Sequence, residues 1–146
     1  MNKTIGSLLC LAALGLAGLP AAAEPNPPSL LVEFQGPGGH SNGNYGRTSA
    51  LHAAGRAVVQ LKQLLPAGSY AVRGLGGGNS VNSIASDGRF EVTLTAADAT
   101  AYNALAAQVA AAAKAGADAE NAFRNVREGD LTAGAPATIR YTVTPR

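Results

Sequence analysis

Cysteine is nearly missing from this chain: its 146 residues include one, Cys10. A protein with that supply cannot staple itself with disulfides, so packing must hold it together. Histidine is almost as scarce. His40 and His52 are the only two, and they fall into neither an H-x-x-x-H nor an H-x-D spacing, so no catalytic zinc site with three or four convergent ligands can be read from them. There is no G-x-S-x-G elbow and, past residue 23, no thiol nucleophile. The glycine run Gly74-Leu75-Gly76-Gly77-Gly78-Asn79 lacks the lysine and the following helix of a phosphate loop. The net charge of +2 is too small for a nucleic-acid footprint. Beyond the first 23 residues no apolar run is long enough to span a membrane; the alanine-rich stretch is interrupted by Lys114 and Asp118.

The first 23 residues have the character of a targeting segment. Lys3 supplies a positive start, Ile5 to Leu19 is apolar, and Pro20-Ala21-Ala22-Ala23 closes with small residues. This predicts a secretory signal peptide cleaved after Ala23. The large Leu9 ahead of Cys10 argues against lipidation. The expected organisation is a signal at 1–23, a proline-rich leader at 24–28 and one domain at 29–146, free of the membrane after cleavage and periplasmic or secreted.

Hydrophobic periodicity then divides the domain. Leu30, Val32 and Phe34 alternate with Leu31, Glu33 and Gln35, a half-buried strand. Thr48 or Ser49 can cap a helix in which Leu51, Ala54, Val58, Leu61 and Leu65 share one face, stopped by Pro66 and Gly68. Tyr70, Val72 and Leu75 mark a second strand. Asp87-Gly88 reads as a turn, and Phe90, Val92 and Leu94 follow in a third strand. Asp98 can cap a long helix with Tyr102, Leu105, Val109 and Ala113 on one stripe, fraying or bending near Gly116. Glu128 to Pro136 reads as a loop, and Ile139, Tyr141 and Val143 alternate in a fourth strand.

The order β-α-β-β-α-β, with one apolar face per strand and two amphipathic helices, predicts an α+β, two-layer ferredoxin-like sandwich: a four-stranded antiparallel sheet with both helices on one face. Right-handed crossovers place the first and third strands in the centre and the second and fourth at the edges.

One histidine stands apart. His40 sits in Gly36 to Gly46, where Gly38 and Gly39 free the backbone and remove steric cover. Exposed loop residues carry function more often than core ones, and imidazole is suited to donating a hydrogen bond near neutral pH. His52, beside Leu51 on the first helix, reads as a helix-surface residue. The glycines of 74–78 could offer backbone N–H groups to a carboxylate.

Three segments together, Gly38-Gly39-His40-Ser41, Gly46-Arg47-Thr48-Ser49-Ala50-Leu51-His52-Ala53 and Gly76-Gly77-Gly78-Asn79-Ser80-Val81-Asn82-Ser83-Ile84, resemble the dimerisation (lid) domain of a zinc metallopeptidase family. That family includes carboxypeptidase G, aminoacylase, tripeptide aminopeptidase and succinyl-diaminopimelate desuccinylase. The resemblance runs from about Leu30 to about Val143 and implies the same βαββαβ frame. It implies that the loop histidine, here His40, reaches into a partner subunit's active site and stabilises a tetrahedral oxyanion. It also implies that Gly77, Gly78 and Asn82 line the substrate side. Zinc, its ligands and the general-base glutamate belong in that family to a catalytic domain with no counterpart in these residues, so no cofactor is expected of this chain. Three positions depart from the pattern. Ala85 stands where proline is usual, and Thr93 and Thr95 replace an Asp-x-Arg whose arginine holds a substrate carboxylate.

Three functions follow as expectations. The first is a secreted, non-catalytic module that forms a homodimer through the Tyr70–Leu75 edge strand and the Leu51–Leu65 helix. The second is a helper chain that supplies His40 in trans to a separate zinc hydrolase. The third is a binder of small carboxylates on the glycine-run amides.

Overall fold

The period-two segments pair as the alternation requires. The computed structural model describes residues 29–146; the signal peptide expected at 1–23, with Cys10, and the leader at 24–28 lie outside the described residues. In chain order the elements are β1 (Ser29–Gln35), β2 (Gly39–His40), α1 (Ala50–Leu64), β3 (Tyr70–Gly76), β4 (Ser83–Ile84), β5 (Asp87–Leu94), α2 (Ala99–Phe123), β6 (Leu131–Thr132), β7 (Ala135–Pro136) and β8 (Arg140–Pro145). A four-stranded antiparallel sheet runs β3-β5-β1-β8, with β1 and β5 central and β3 and β8 at the edges. This is the expected α+β sandwich. The small ladders β2-β4 and β6-β7 stand outside it; the second places a hairpin inside the stretch expected to be a plain loop.

The core lies between one face of the sheet and both helices. Leu30, Val32 and Phe34 of β1 and Phe90, Val92 and Leu94 of β5 are buried there. Each contributes on the order of 1.5–3 kcal/mol by leaving water. The opposite face is polar. Across it, Arg73 donates to Glu91 at 2.7 Å and the Ser29 hydroxyl donates to the same carboxylate at 2.7 Å. Those two bonds, Arg73 first, hold the Glu91 carboxyl down at about 2.

The helices meet on their smallest residues, which corrects the expected face of α1. Ala50, Ala53, Ala54, Ala57 and Leu61 are buried, while Leu51 and Val58 are half-buried at the flank. The opposing surface of α2 is Val109, Ala112, Ala113, Gly116, Ala117 and Glu120. Alanine and glycine here let the two backbones touch: a Cβ on Gly116 would lie 2.6 Å from the Ala53 carbonyl oxygen. Gly116 therefore neither frays nor bends α2, which runs unbroken to Phe123. The glycine serves the crossing, not a break.

Asp87-Gly88 is likewise no turn. Both residues pair with β1, Gly88 opposite Phe34. Gly88 is where the sheet meets the start of α1, since a Cβ there would lie 2.5 Å from the Ala50 carbonyl oxygen. Ser49 caps α1 and accepts from the His52 N–H; Asp98 caps α2 and accepts from the Ala101 N–H at 2.8 Å.

These contacts separate two glycines that helix propensity treats alike. Gly55 of α1 has open space around its would-be Cβ, so Gly55→Ala should raise stability by about 0.5–1 kcal/mol. Gly116→Ala has the same propensity gain but forces the helices apart, and overpacking of that kind costs about 1–3 kcal/mol. Denaturant unfolding of both variants should move the midpoint in opposite directions; equal shifts would mean that the close crossing is not there.

Candidate functional site: the histidine loop

The loop that carries His40 is fixed at both ends. At its start the Gly36 N–H donates to the Ser86 carbonyl at 2.8 Å. At its end the Thr48 hydroxyl donates to the Ala137 carbonyl at 2.7 Å, and the Ala50 N–H donates to the Ala85 carbonyl at 3.0 Å. Between them Gly38 takes φ +60, a left-handed conformation open to glycine at little cost. Arg47 donates back across the loop to the Gly38 carbonyl at 3.3 Å. The chain then enters the two-residue ladder in which Gly39 faces Ile84 and His40 faces Ser83.

This ladder brings together two residues 42 positions apart in sequence: the Asn82 side-chain nitrogen lies 3.0 Å from His40 Nε2. On the other side of the ring, His40 Nδ1 lies 2.6 Å from Asn42 Oδ1. Asn44 donates to the His40 carbonyl at 2.9 Å, and the Ser41 N–H donates to the Asn82 carbonyl at 2.9 Å. The Ser80 hydroxyl is bonded to Asn82 Oδ1. His40 itself is exposed, so the pair presents an amide hydrogen of Asn82 to whatever covers the loop. Chemically that is a hydrogen-bond donor site for an anionic or strongly polarised oxygen. Asn42 and Ser80 were not singled out in the sequence. Their only signal there was Asn and Ser in loops, which ordinarily reads as turn chemistry.

The other two candidates, Gly77 and Gly78, are engaged elsewhere. A Cβ on Gly77 would collide with the Asp87 carbonyl oxygen, and the Gly78 N–H donates to the Asp87 carboxylate at 3.2 Å. The glycine run does cradle a carboxylate through Gly78, and the carboxylate is the chain's own.

Beside the histidine loop lies a cleft of about 320 Å³ whose walls include Ser41, Tyr45, Arg47, His52, Ser83 and Arg124. Two of its lining residues, Ser49 and Arg124, bond a glutamate behind them that no motif singles out, Glu120. Glu120 is wholly buried and accepts from the Ser49 N–H at 3.1 Å, from Arg56 at 3.0 Å and from Arg124 at 3.2 Å. His52 Nδ1 stands 3.8 Å away. Arg56 and Arg124 also lie 4.9 and 5.0 Å from the ring centre of Phe123. In sequence this glutamate looks like one more polar position on an alanine-rich helix.

The donors present do not suit zinc. Both ring nitrogens of His40 are held by asparagines, and His52 faces a carboxylate already bound by two guanidiniums. Among the described residues no three His, Cys, Asp or Glu gather where they could hold a metal ion, and no helix is long and apolar enough to cross a membrane.

Fold and loop together define an α+β sandwich that carries an exposed His–Asn pair on one end of its sheet. The chain belongs to the peptidase dimerisation domain family, whose profile matches residues 29–121. No curated protein sequence matches it. Among solved structures it is similar to a putative amidohydrolase/peptidase from Burkholderia cenocepacia, with 17% identity and a TM-score of 0.58 over 82% of this chain and 27% of that one. It is also similar to an aminobenzoyl-glutamate utilization protein from Klebsiella pneumoniae, with 18% identity and a TM-score of 0.54 over 79% of this chain and 26% of the other. A third is an amidase of the hydantoinase/carbamoylase family from Burkholderia multivorans, with 21% identity and a TM-score of 0.53 over 82% and 26%. At such identities the likeness is one of fold. The chain spans about a quarter of the length of these structures.

The buried carboxylate gives a direct test of how the two helices are joined. Glu120→Gln leaves Arg56 and Arg124 without their anion, although both are partly exposed and water screens part of the loss. Hydrogen bonds to charged groups are worth about 1.5–3 kcal/mol, so stability should fall by about 1–3 kcal/mol in urea unfolding. An unchanged midpoint would show that the cluster is not what joins the helices.

Proposed function

We propose that this chain is an exported dimerisation module, non-catalytic by itself, that forms a homodimer through β3 and α1. Export to the periplasm or beyond is supported by the sequence of residues 1–23. In this reading any zinc would belong to a separate catalytic domain.

The observation that carries the dimer is the free edge of β3. Thr95 donates to the Ser69 carbonyl at 2.8 Å, and the antiparallel register runs Tyr70 opposite Leu94 and Val72 opposite Val92. Backbone groups in such a ladder alternate in direction. Ala71 and Arg73 therefore bond to β5, while Tyr70 and Val72 turn their N–H and C=O groups outward. The register shifts between Arg73 and Gly76, so the regular template is short and lies at Tyr70–Arg73. Val59 and Leu64 are exposed on the neighbouring helix α1 and add apolar area toward the roughly 1,000 Å² a specific dimer buries.

Sedimentation velocity of the chain should show a dimer whose proportion rises with concentration. Val72→Pro removes one outward N–H while keeping most of the side-chain volume, and proline is tolerated on a strand edge that faces solvent. The variant should remain folded by circular dichroism and dissociate at concentrations where the parent is dimeric. A chain that stays monomeric at high concentration would refute the dimer.

A second reading has its own support in the joining of His40 to Asn82: the chain serves as a helper that docks onto a separate catalytic hydrolase chain and stabilises its oxyanion. With such a chain lacking its own lid, His40→Ala should leave docking unchanged and lower kcat by roughly a hundredfold or more, the usual cost of one oxyanion donor. The loss belongs in kcat because the bond strengthens in the transition state. Equal kcat with parent and variant would leave the dimerisation module alone.

A further inference from the structure

We infer that Asn42 and Ser80 are positioning residues that hold His40 in one neutral tautomer, with hydrogen on Nδ1 and a bare Nε2 turned toward Asn82. The argument needs only the polarity of the partners. An amide oxygen accepts and an amide nitrogen donates. Asn42 Oδ1 at 2.6 Å from Nδ1 therefore calls for a hydrogen on Nδ1. The Asn82 side-chain nitrogen at 3.0 Å from Nε2 calls for a lone pair there. The orientation of the Asn82 amide is set by the Ser80 hydroxyl on Oδ1, and Ser80 is held in turn by contact with the Asn82 N–H at 3.4 Å. Its carbonyl accepts from the Ser83 hydroxyl at 3.1 Å. Asn44 bonds the His40 carbonyl at 2.9 Å and steadies the turn that carries Asn42.

The arrangement runs against the intrinsic bias of the side chain. A histidine ring free in water prefers its hydrogen on Nε2, so a dominant Nδ1–H form is a signature that solvent exposure would not produce. Its functional weight rests on the helper reading. Asn42 fixes the ring plane so that Nε2 accepts from one hydrogen of the Asn82 amide. The other amide hydrogen is then the donor held out for an oxygen anion, and the ring serves by holding it in place.

The test requires no partner. In the full chain carrying His52→Gln, one imidazole remains, and long-range proton–nitrogen spectra at about pH 9, above the ordinary imidazole range, report its two nitrogens separately. We expect a pyrrole-type Nδ1 and a pyridine-type Nε2. Asn42→Ala should shift the population toward Nε2–H, and Asn42→Asp should keep the Nδ1–H form because a carboxylate also accepts from it. Ser80→Ala should shift the population the same way as Asn42→Ala, since the Asn82 amide becomes free to turn its oxygen to the ring. A parent spectrum dominated by Nε2–H, or one unmoved by Asn42→Ala, overturns the inference. The parent spectrum decides the tautomer alone, so a variant that fails to fold offers no shelter. Because the readout is spectroscopic, a helper reading lost in the kcat experiment and a positioning role lost here are told apart.

Discussion

The feature on which the rest of the molecule leans is the buried carboxylate of Glu120. A carboxylate sealed from water is stable only when its lone pairs are met by donors. This one is met by the Ser49 N–H at the N-cap of α1, by Arg56 about two turns deeper in the same helix, and by Arg124 at the end of α2. The negative charge thus sits at the positive end of α1 and at the point where α2 stops. Helices that touch through alanine and glycine could slide along one another, since small residues offer little interlocking relief. A single charged group bonded to both fixes the register of that contact. The cost of burying it is offset only in one alignment, and this is how a buried ion cluster confers uniqueness more than raw stability.

The consequence reaches the histidine loop. The start of α1 is also where the chain returns from that loop, and four separate segments converge on it. Thr48 bonds Ala137 ahead of β8, Ser49 bonds Glu120, Ala50 bonds Ala85, and Gly88 of β5 lies against the Ala50 carbonyl. The base of the loop is therefore rigid although its tip is exposed and glycine-rich. Rigid anchorage at the base with exposure at the tip suits a side chain that projects from its own domain in a defined orientation.

How much of this can be read from sequence follows the range of the interactions. The strands were legible because alternation is local: Leu30, Val32 and Phe34 face the core for the same reason that they alternate. So were the caps at Ser49 and Asp98, each a bond across three residues, and the quoted glycine and asparagine motifs sufficed for the family. What was illegible depended on a second element. Asp87-Gly88 has turn chemistry, yet Gly88 answers to the backbone of Ala50. Gly116 has the look of a helix breaker, yet it answers to Ala53 and Ala57. Helical spacing puts Leu51, Ala54, Val58, Leu61 and Leu65 on one face of α1, and three of these five are buried. Close approach of α2 selects alanines near the start of α1 and leaves Leu51 and Val58 at the rim, while Leu61 and Leu65 stay buried. Glu120 was hidden because nothing in one sequence tells a solvated glutamate from one sealed by an arginine 64 positions away.

The same contrast separates scaffold from site. The helix crossing is long-range, dry and closed, so its geometry is set by folding alone. The His40 cluster is made of short-range bonds among exposed amides and hydroxyls, each competing with water and each weak on its own. Such a cluster keeps its order because its members satisfy one another in a chain, from Ser80 to Asn82 to His40 to Asn42. It also rests on a two-residue ladder tied to a rigid base. Order of that kind prepares donors without using them. Only a surface that excludes water from the loop would raise their strength, and among the described residues none covers His40, which is exposed. The geometry within this chain is thus complete as a scaffold and incomplete as a site. A low-dielectric cover of that kind is what the helper reading asks of a partner surface.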